Sequence, residues 1–451
     1  MQKFIAKSSE LFDRFDPKYV AFKRRVANFR YPSVKMGSLL SEPPEYGAGE
    51  AGIERLNDTT PRYIRITDID ENGELLPGLG MTAANVEPQY FLRDGDLLFA
   101  RSGNTVGKSY LHESERVSYP CFYAGYMIRF RFGEKVLPKY VFAFAQTPYY
   151  HEWVSAIQRS AGQPNINAQE YRSLEIPLPP LPEQRKIVAE LDAAYAAKRA
   201  ADERAAKLLA SIDDMVLNEL GIANLPKPDT SLSSRIFTVP AREVANATLA
   251  PDHYFDSIDF SKAKYPCERF VERIDIDPPC GLERITKLVP MESVSAEWCA
   301  IESLEDISPD ATQGYSTFRG GDVIWARIMP CMENGKSAVV EAEPSECFCG
   351  STEFLVFRPK DDKVNPYYLQ SLLHLKRFRE VAAHHFTGTS GHQRVTADFF
   401  KAISIPIPPR SVQDRIASTA SSIRAEARKL KADATVALES ARRKIEVKII
   451  G

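Results

Sequence analysis

The chain says nearly the same thing twice at a fixed distance, and each copy opens a long helix. IPLPPLPEQRKIVAELD begins at Ile176 and ISIPIPPRSVQDRIAS begins at Ile403, with Ile405 standing where Ile176 stood, 229 residues later. The register persists: Gly162 with Gly391, Asn167 with Thr396, Tyr171 with Phe400, Pro180 with Pro409, Gln184 with Gln413 and Ile187 with Ile416 are all 229 apart. Upstream, GDLLFAR from Gly95 answers GDVIWAR from Gly321 at 226, and Gly107-Lys108-Ser109 answers Gly335-Lys336-Ser337 at 228, a drift that small loop insertions explain. Two copies are too few for a solenoid. The pattern predicts a duplicated domain-plus-helix unit, pseudo-twofold and suited to reading something itself twofold.

A chain of 451 residues exceeds what one core usually organises. The repeat sets the expected division: a first domain at 1–181, a helix at 182–222, a second domain at 223–409 and a second helix at 410–451. With 44% hydrophobic and 26% charged residues the composition is that of a soluble globular protein. No apolar run approaches a membrane span, and MQKFIAKSSELFDRFD lacks a signal-peptide core, so a cytoplasmic protein is expected. Seven cysteines without a CxxC pair favour free thiols over a disulfide framework or a zinc site. A net charge of −2 argues against a nonspecific nucleic-acid coat. Residues 223–409 sum to −6 and 410–451 to +5, so DNA binding would need a local basic face or a basic partner.

Short β-rich runs alternate with turns over 60–145 and 284–360, among them RYIRITD from Arg62, YMIRFRF from Tyr126 and EFLVFR from Glu353. The alternation from Met127 to Phe132 suits a strand with one wet face. An aromatic helical run follows in each copy, Pro138 to Ile157 and Pro366 to Ala383, and then a polar glycine-bearing loop, 159–167 and 387–396. That order predicts an α+β globule. Proline clusters at Pro177, Pro179, Pro180 and Pro182, and at Pro406, Pro408 and Pro409, hand each chain segment to a helix, since proline is tolerated only in a helix's first turn. The helices are predicted from about Glu183 to Leu220 and about Val412 to Ile449. Ile416, Ile423, Leu430 and Ala437 recur every seven residues beside an alanine seam at 420, 427, 434 and 441; Ile187, Ala194, Ala201, Leu208 and Met215 do likewise. Heptads with small residues predict an antiparallel coiled coil between the two helices.

Catalytic constellations are hard to find. Asp277-Pro278-Pro279-Cys280 is similar to the amino-methyltransferase motif, but cysteine stands where an aromatic should stack on a flipped base, and no glycine-rich cofactor loop lies upstream. GNTVGKS from Gly103 has three residues between its glycines where a phosphate loop needs four. The seven histidines show no metal spacing. What survives is a binding inventory: Arg101, Ser102, Asn104 and Lys108 in one loop, matched by Arg327, Asn334 and Lys336, and Arg159, Gln163 and Asn165 in a second, matched by Thr389, His392, Gln393 and Arg394. Forked Arg, Asn and Gln side chains suit base edges, while Lys, Ser and Thr suit phosphates.

These stretches resemble the specificity (S) subunit of type I restriction–modification enzymes. The resemblance covers almost the whole chain and rests on IPLPPLPEQRKIVAELD, its repeat, GDLLFARSG and the loop from Gly162 to Asn167. It implies two tandem α/β target recognition domains separated by two long conserved helices that pair antiparallel. It implies further that each domain reads half of a bipartite double-stranded DNA target while the helices set the gap and dock two methyltransferase (M) subunits. Chemistry would then belong to partners: S-adenosylmethionine-dependent adenine methylation in the M subunits, and ATP- and Mg-dependent cleavage in restriction (R) subunits. The second copy departs from the pattern, with Arg410 to Arg415 (RSVQDR) where the first has Leu181 to Lys186 (LPEQRK). A non-enzymatic coiled-coil adaptor and a stand-alone adenine methyltransferase with fused recognition domains are the alternatives.

Overall fold

In a computed structural model of the chain, residues 17–25, 29–158, 164–223, 231, 236, 238–241, 258–280, 287–388 and 393–450 are described. The chain divides into two compact units, Met1–Ala200 with Asp433–Gly451, and Ala201–Ala432. In the first, a four-stranded antiparallel sheet runs in the order Glu45–Tyr46, Met127–Phe130, Leu97–Ala100, Ser109–Leu111. Leu97 and Phe99 pack on the aromatic helices beside Tyr140, Tyr150 and Trp153, while Leu98 and Met127 face a second cluster with Ile64 and Tyr123. Both faces of these strands are therefore covered. That corrects the expected wet face: Met127, Ile128, Arg129 and Phe130 are all buried, and Arg129 is accommodated by pairing with Glu45 and donating to Gln89 O at 2.8 Å.

A second sheet, ordered Gly52–Glu54, Met81–Ala83, Arg62–Ile64, Cys121–Tyr123, closes with a parallel pair. The second unit repeats the plan. Its antiparallel sheet runs Ile274–Ile276, Phe354–Pro359, Val323–Ala326, Ser337–Val339, and its other sheet again joins Lys287–Val289 to Cys347–Gly350 in parallel. The duplication thus extends to the strand order of the antiparallel sheet and to the parallel pair of the other, which in the second unit carries an added strand, Ser316–Arg319, beside Cys347–Gly350. The aromatic runs each break in two, into Pro138–Ala145 and Pro148–Ile157, and into Pro366–His374 and Lys376–His384. The first break has a local cause, since Pro148 starts a new first turn and Thr147 Oγ1 accepts from Tyr150 N at 3.4 Å.

The long helices span Leu181–Leu220 and Arg410–Ile449, 40 residues each, or about 60 Å. Within the first unit Ile187, Leu191 and Tyr195 share a core with Leu438, Ile445 and Ile449, and Glu190 pairs with Lys448. Within the second unit Ile212, Val216 and Leu220 share a core with Ile416 and Ala420, and Glu219 pairs with Arg415 at 2.7 Å. Early residues of one helix meet late residues of the other, so the pairing is antiparallel. The predicted seam holds through Ile416, Ala420 and Ala427 and then slips by one: Ala437 is exposed, and Leu438, Arg442, Ile445 and Ile449 are buried. A helix of 3.6 residues per turn drifts from a strict seven-residue repeat, and this helix absorbs the drift there.

Cys280 and Cys347 lie side by side, with Cα atoms 6.5 Å apart, because the chain leaving Ile274–Ile276 passes beside Cys347–Gly350; the other five are free. No helix among the described residues is long and apolar enough to cross a membrane.

Candidate nucleic-acid interface

In both units the candidate site grows from a Gly-Asp turn. Gly95 and Gly321 take φ of +81° and +87°, a conformation that side chains with a Cβ disfavour. The aspartates that follow are 1% exposed. Asp96 accepts from Arg93 N and from Arg131 Nε at 2.7 Å, and Asp322 accepts from Arg319 N and from Arg358 Nε at 2.7 Å. Hydrogen bonds to these carboxylates raise the already high pKa values of Arg131 and Arg358. The Gly-Asp that opens each copy of the repeated stretch is a fixed corner that aims the next strand.

That strand delivers an arginine to the same place twice. In the first unit Ala100 N donates to Lys108 O at 2.8 Å and Gly107 N to Ala100 O at 2.9 Å, closing the loop 101–107. Arg101 lies at the middle of a backbone ladder, its N–H donating to Tyr126 O at 2.9 Å and its carbonyl accepting from Ile166 N at 2.8 Å. Ser102 bridges to Asn165 and Gly103 N donates to Pro164 O, so the two loops predicted from sequence meet. In the second unit Arg327 N donates to Glu353 O at 2.8 Å, Arg327 O accepts from Val395 N at 2.9 Å, Ile328 bridges to Arg394, and Met329 N donates to Gln393 O.

The side chains fare differently. Asn104 and Asn334 are exposed. Lys108 turns back, donating to Ile69 O at 2.9 Å and pairing with Glu71, and Lys336 donates to Met291 O at 2.8 Å. Arg394 is held by Glu353, with Nε 2.7 Å and Nη2 2.6 Å from its oxygens, and this bonding raises its pKa. The guanidinium of Arg101 rests on the Tyr46 ring, 4.8 Å from its centroid, and Tyr46 OH accepts from Ala168 N at 3.2 Å. Arg159, Gln163, Thr389 and His392 lie outside the described residues. Sequence reasoning did not single out Tyr46, Tyr126 or Glu353. Tyr126 is 67% exposed, and it and Glu353, 227 residues apart, open equivalent strands, which was the available signal. The Asp277-Pro278-Pro279-Cys280 stretch is a turn: Asp277 Oδ1 accepts from Val356 N at 2.9 Å, and Cys280 is buried beside Cys347 and Cys349.

One topology used twice, each copy presenting an arginine between two converging loops and each packed on half of a long helix pair, defines a tandem recognition protein. The chain belongs to the family of the type I restriction modification DNA specificity domain, whose signature matches residues 63–207 and 291–439. It is 33% identical over 135 residues to the type I restriction enzyme EcoAI specificity subunit of Escherichia coli, a match covering 30% of this chain and 23% of that one. It is 25% identical over 224 residues to the EcoKI specificity subunit of Escherichia coli strain K12, covering 48% and 45%. The chain thus spans less than half the length of these curated relatives. Among solved structures, the HsdS subunit from Thermoanaerobacter tengcongensis matches at 18% identity and a TM-score of 0.34, over 92% of this chain and 96% of that one.

Proposed function

We propose that this chain is the sequence-reading subunit of a type I restriction–modification complex. Residues 1–181 and 223–409 act as target recognition domains, each taking one half of a bipartite double-stranded DNA site. Segments 182–222 and 410–451 fix the gap between the halves and dock two methyltransferase subunits. The observation that carries this reading is the duplication of the loop pair around Arg101 and Arg327, on strands of one topology. Phosphate contacts would hold the register and a few base-edge contacts in each domain would specify sequence.

Catalysis lies with partners in this reading: adenine methylation with S-adenosylmethionine in the methyltransferase subunits, and ATP- and Mg-dependent cleavage in restriction subunits, all in the cytoplasm. The test is to express the chain with its cognate methyltransferase subunit in a host lacking methylation and to map methylated adenines genome-wide. One bipartite motif of fixed gap is expected, with no methyl transfer by the purified chain alone. Methyl transfer by the lone chain would favour a stand-alone methyltransferase. A complex that binds partner protein but methylates no defined motif would favour an adaptor.

A further inference from the structure

The internal repeat holds two versions of one site, and comparing them separates what is constant from what varies. Arg101 and Arg327 are constant. Each is fixed by the same pair of backbone hydrogen bonds, to residue 126 or 353 on one side and residue 166 or 395 on the other. Each also buries a side-chain Nε that has no hydrogen-bond partner among the described residues. The neighbouring lysines are committed to Ile69 O and Met291 O. A guanidinium in this state gives up no protein hydrogen bond when it turns toward an outside oxygen, and it gains partners for N–H groups that are costly to leave unpaired.

The positions flanking each arginine are not constant. Residues 126 and 165 are Tyr and Asn in the first unit; their counterparts, 353 and 394, are Glu and Arg in the second. In the second unit these two side chains reach each other across the arginine's strand and form a bidentate ion pair, with Arg394 Nε 2.9 and 2.7 Å from the Glu353 oxygens. The same lattice of backbone hydrogen bonds therefore carries a neutral aromatic and amide in one unit and a charged pair in the other.

We infer a division of labour, resting on the reading that each unit takes one half-site: Arg101 and Arg327 are equivalent phosphate anchors, and the paired positions Tyr126/Asn165 and Glu353/Arg394 read a base. The reason is informational as well as chemical. A contact that both units make identically cannot account for a difference between their half-sites, and phosphate is the part of DNA that does not change with sequence. A pair that changes donor and acceptor character between the units can. Asn offers both a donor and an acceptor, as adenine's major-groove edge requires, whereas Arg offers only donors, which suit guanine.

The test uses the assembled complex of this chain with its methyltransferase subunits, with motif mapping and salt-dependent DNA binding as readouts. Arg101→Gln should weaken binding to every target on the order of tenfold, lower the slope of log affinity against log salt by about one, and leave both half-site consensus sequences unchanged. Exchanging Tyr126→Glu together with Asn165→Arg should alter the consensus of one half-site and leave the other half intact. Should that exchange lower the melting temperature, the single changes Asn165→Ala and Arg394→Ala carry the same test, each relaxing one base of a different half-site, with Glu353→Gln as the control for loss of the Arg394 ion pair. A consensus altered by Arg101→Gln overturns the inference, and so do flanking changes that leave both half-sites as they were. A wild-type complex with no bipartite motif would instead overturn the functional reading beneath it.

Discussion

Gln184 and Gln413 stand at the foot of the two long helices, both fully buried. Gln184 Oε1 accepts from Leu137 N at 2.9 Å while its Nε2 donates to Lys135 O and Pro179 O; Gln413 does the same with Asn365 N, Lys363 O and Pro408 O. Each amide satisfies backbone groups from two segments that water does not reach, so Gln413→Leu should destabilise the second unit by about 3 kcal/mol, read by denaturant unfolding. His374, at the end of Pro366–His374, is a second sensitive residue, with Nδ1 3.1 Å from Gly335 O. Although part of the residue keeps contact with solvent, burial first, and then the nearby Arg379 and Arg424, pushes its pKa down to about 3. The folded value lies below the unfolded one near 6.5, so the unfolded chain takes up the proton first. The stabilisation is complete above about pH 6.5 and is lost as pH falls toward about 3, at up to about 1.4 kcal/mol per pH unit. His374→Gln should flatten the fall in melting temperature over that window; an unchanged slope would show that His374 does not control it.

At the scale of elements, Arg442 ties a late turn of the second helix to the first unit. It is 6% exposed and donates to Gln146 Oε1 at 2.9 Å, Asn72 Oδ1 at 3.0 Å and Tyr195 OH at 3.0 Å. Arg442→Ala leaves these acceptors short and a cavity beside Tyr195; hydrogen exchange should report a loss on the order of 3 kcal/mol in the first unit only. The helices themselves were legible in sequence, because proline clusters mark their starts and neither proline nor glycine interrupts the residues that follow. The slip to Leu438 was not, since it depends on accumulated helical drift against a partner. Nor was the break at Leu375, which has no proline or glycine beside it. The loops around Arg101 and Arg327 were legible from the repeat, but the fates of their side chains were not. Lys108 and Lys336 looked like ligands for phosphate, and only tertiary structure reveals the carbonyls of Ile69 and Met291 that occupy them.

At the scale of the molecule, the proposed gap control has a length test. One extra helical turn, four residues between Ala201 and Lys207 with a matching four between Arg428 and Asp433, adds roughly 6 Å along the pair. With DNA advancing about 3.4 Å per base pair, the preferred gap should lengthen by about one or two base pairs while both half-site sequences stay unchanged; methylome mapping decides it, and altered half-sites at an unaltered gap would refute the ruler. The composition of the first unit has a consequence in time as well as in space. Leu438, Ile445 and Ile449 belong to its core, yet the segment from Asp433 is made some 230 residues after Ala200. At about 5–20 residues per second, the first-made unit waits roughly ten seconds to most of a minute for the wall that covers Ile187, Leu191 and Tyr195. The expected outcome is that a chain ending at Ala432 leaves the apolar face of Ile187, Leu191 and Tyr195 without that cover, read as stronger binding of a hydrophobic dye than by the full chain; equal dye binding would show that the late segment does not cover it.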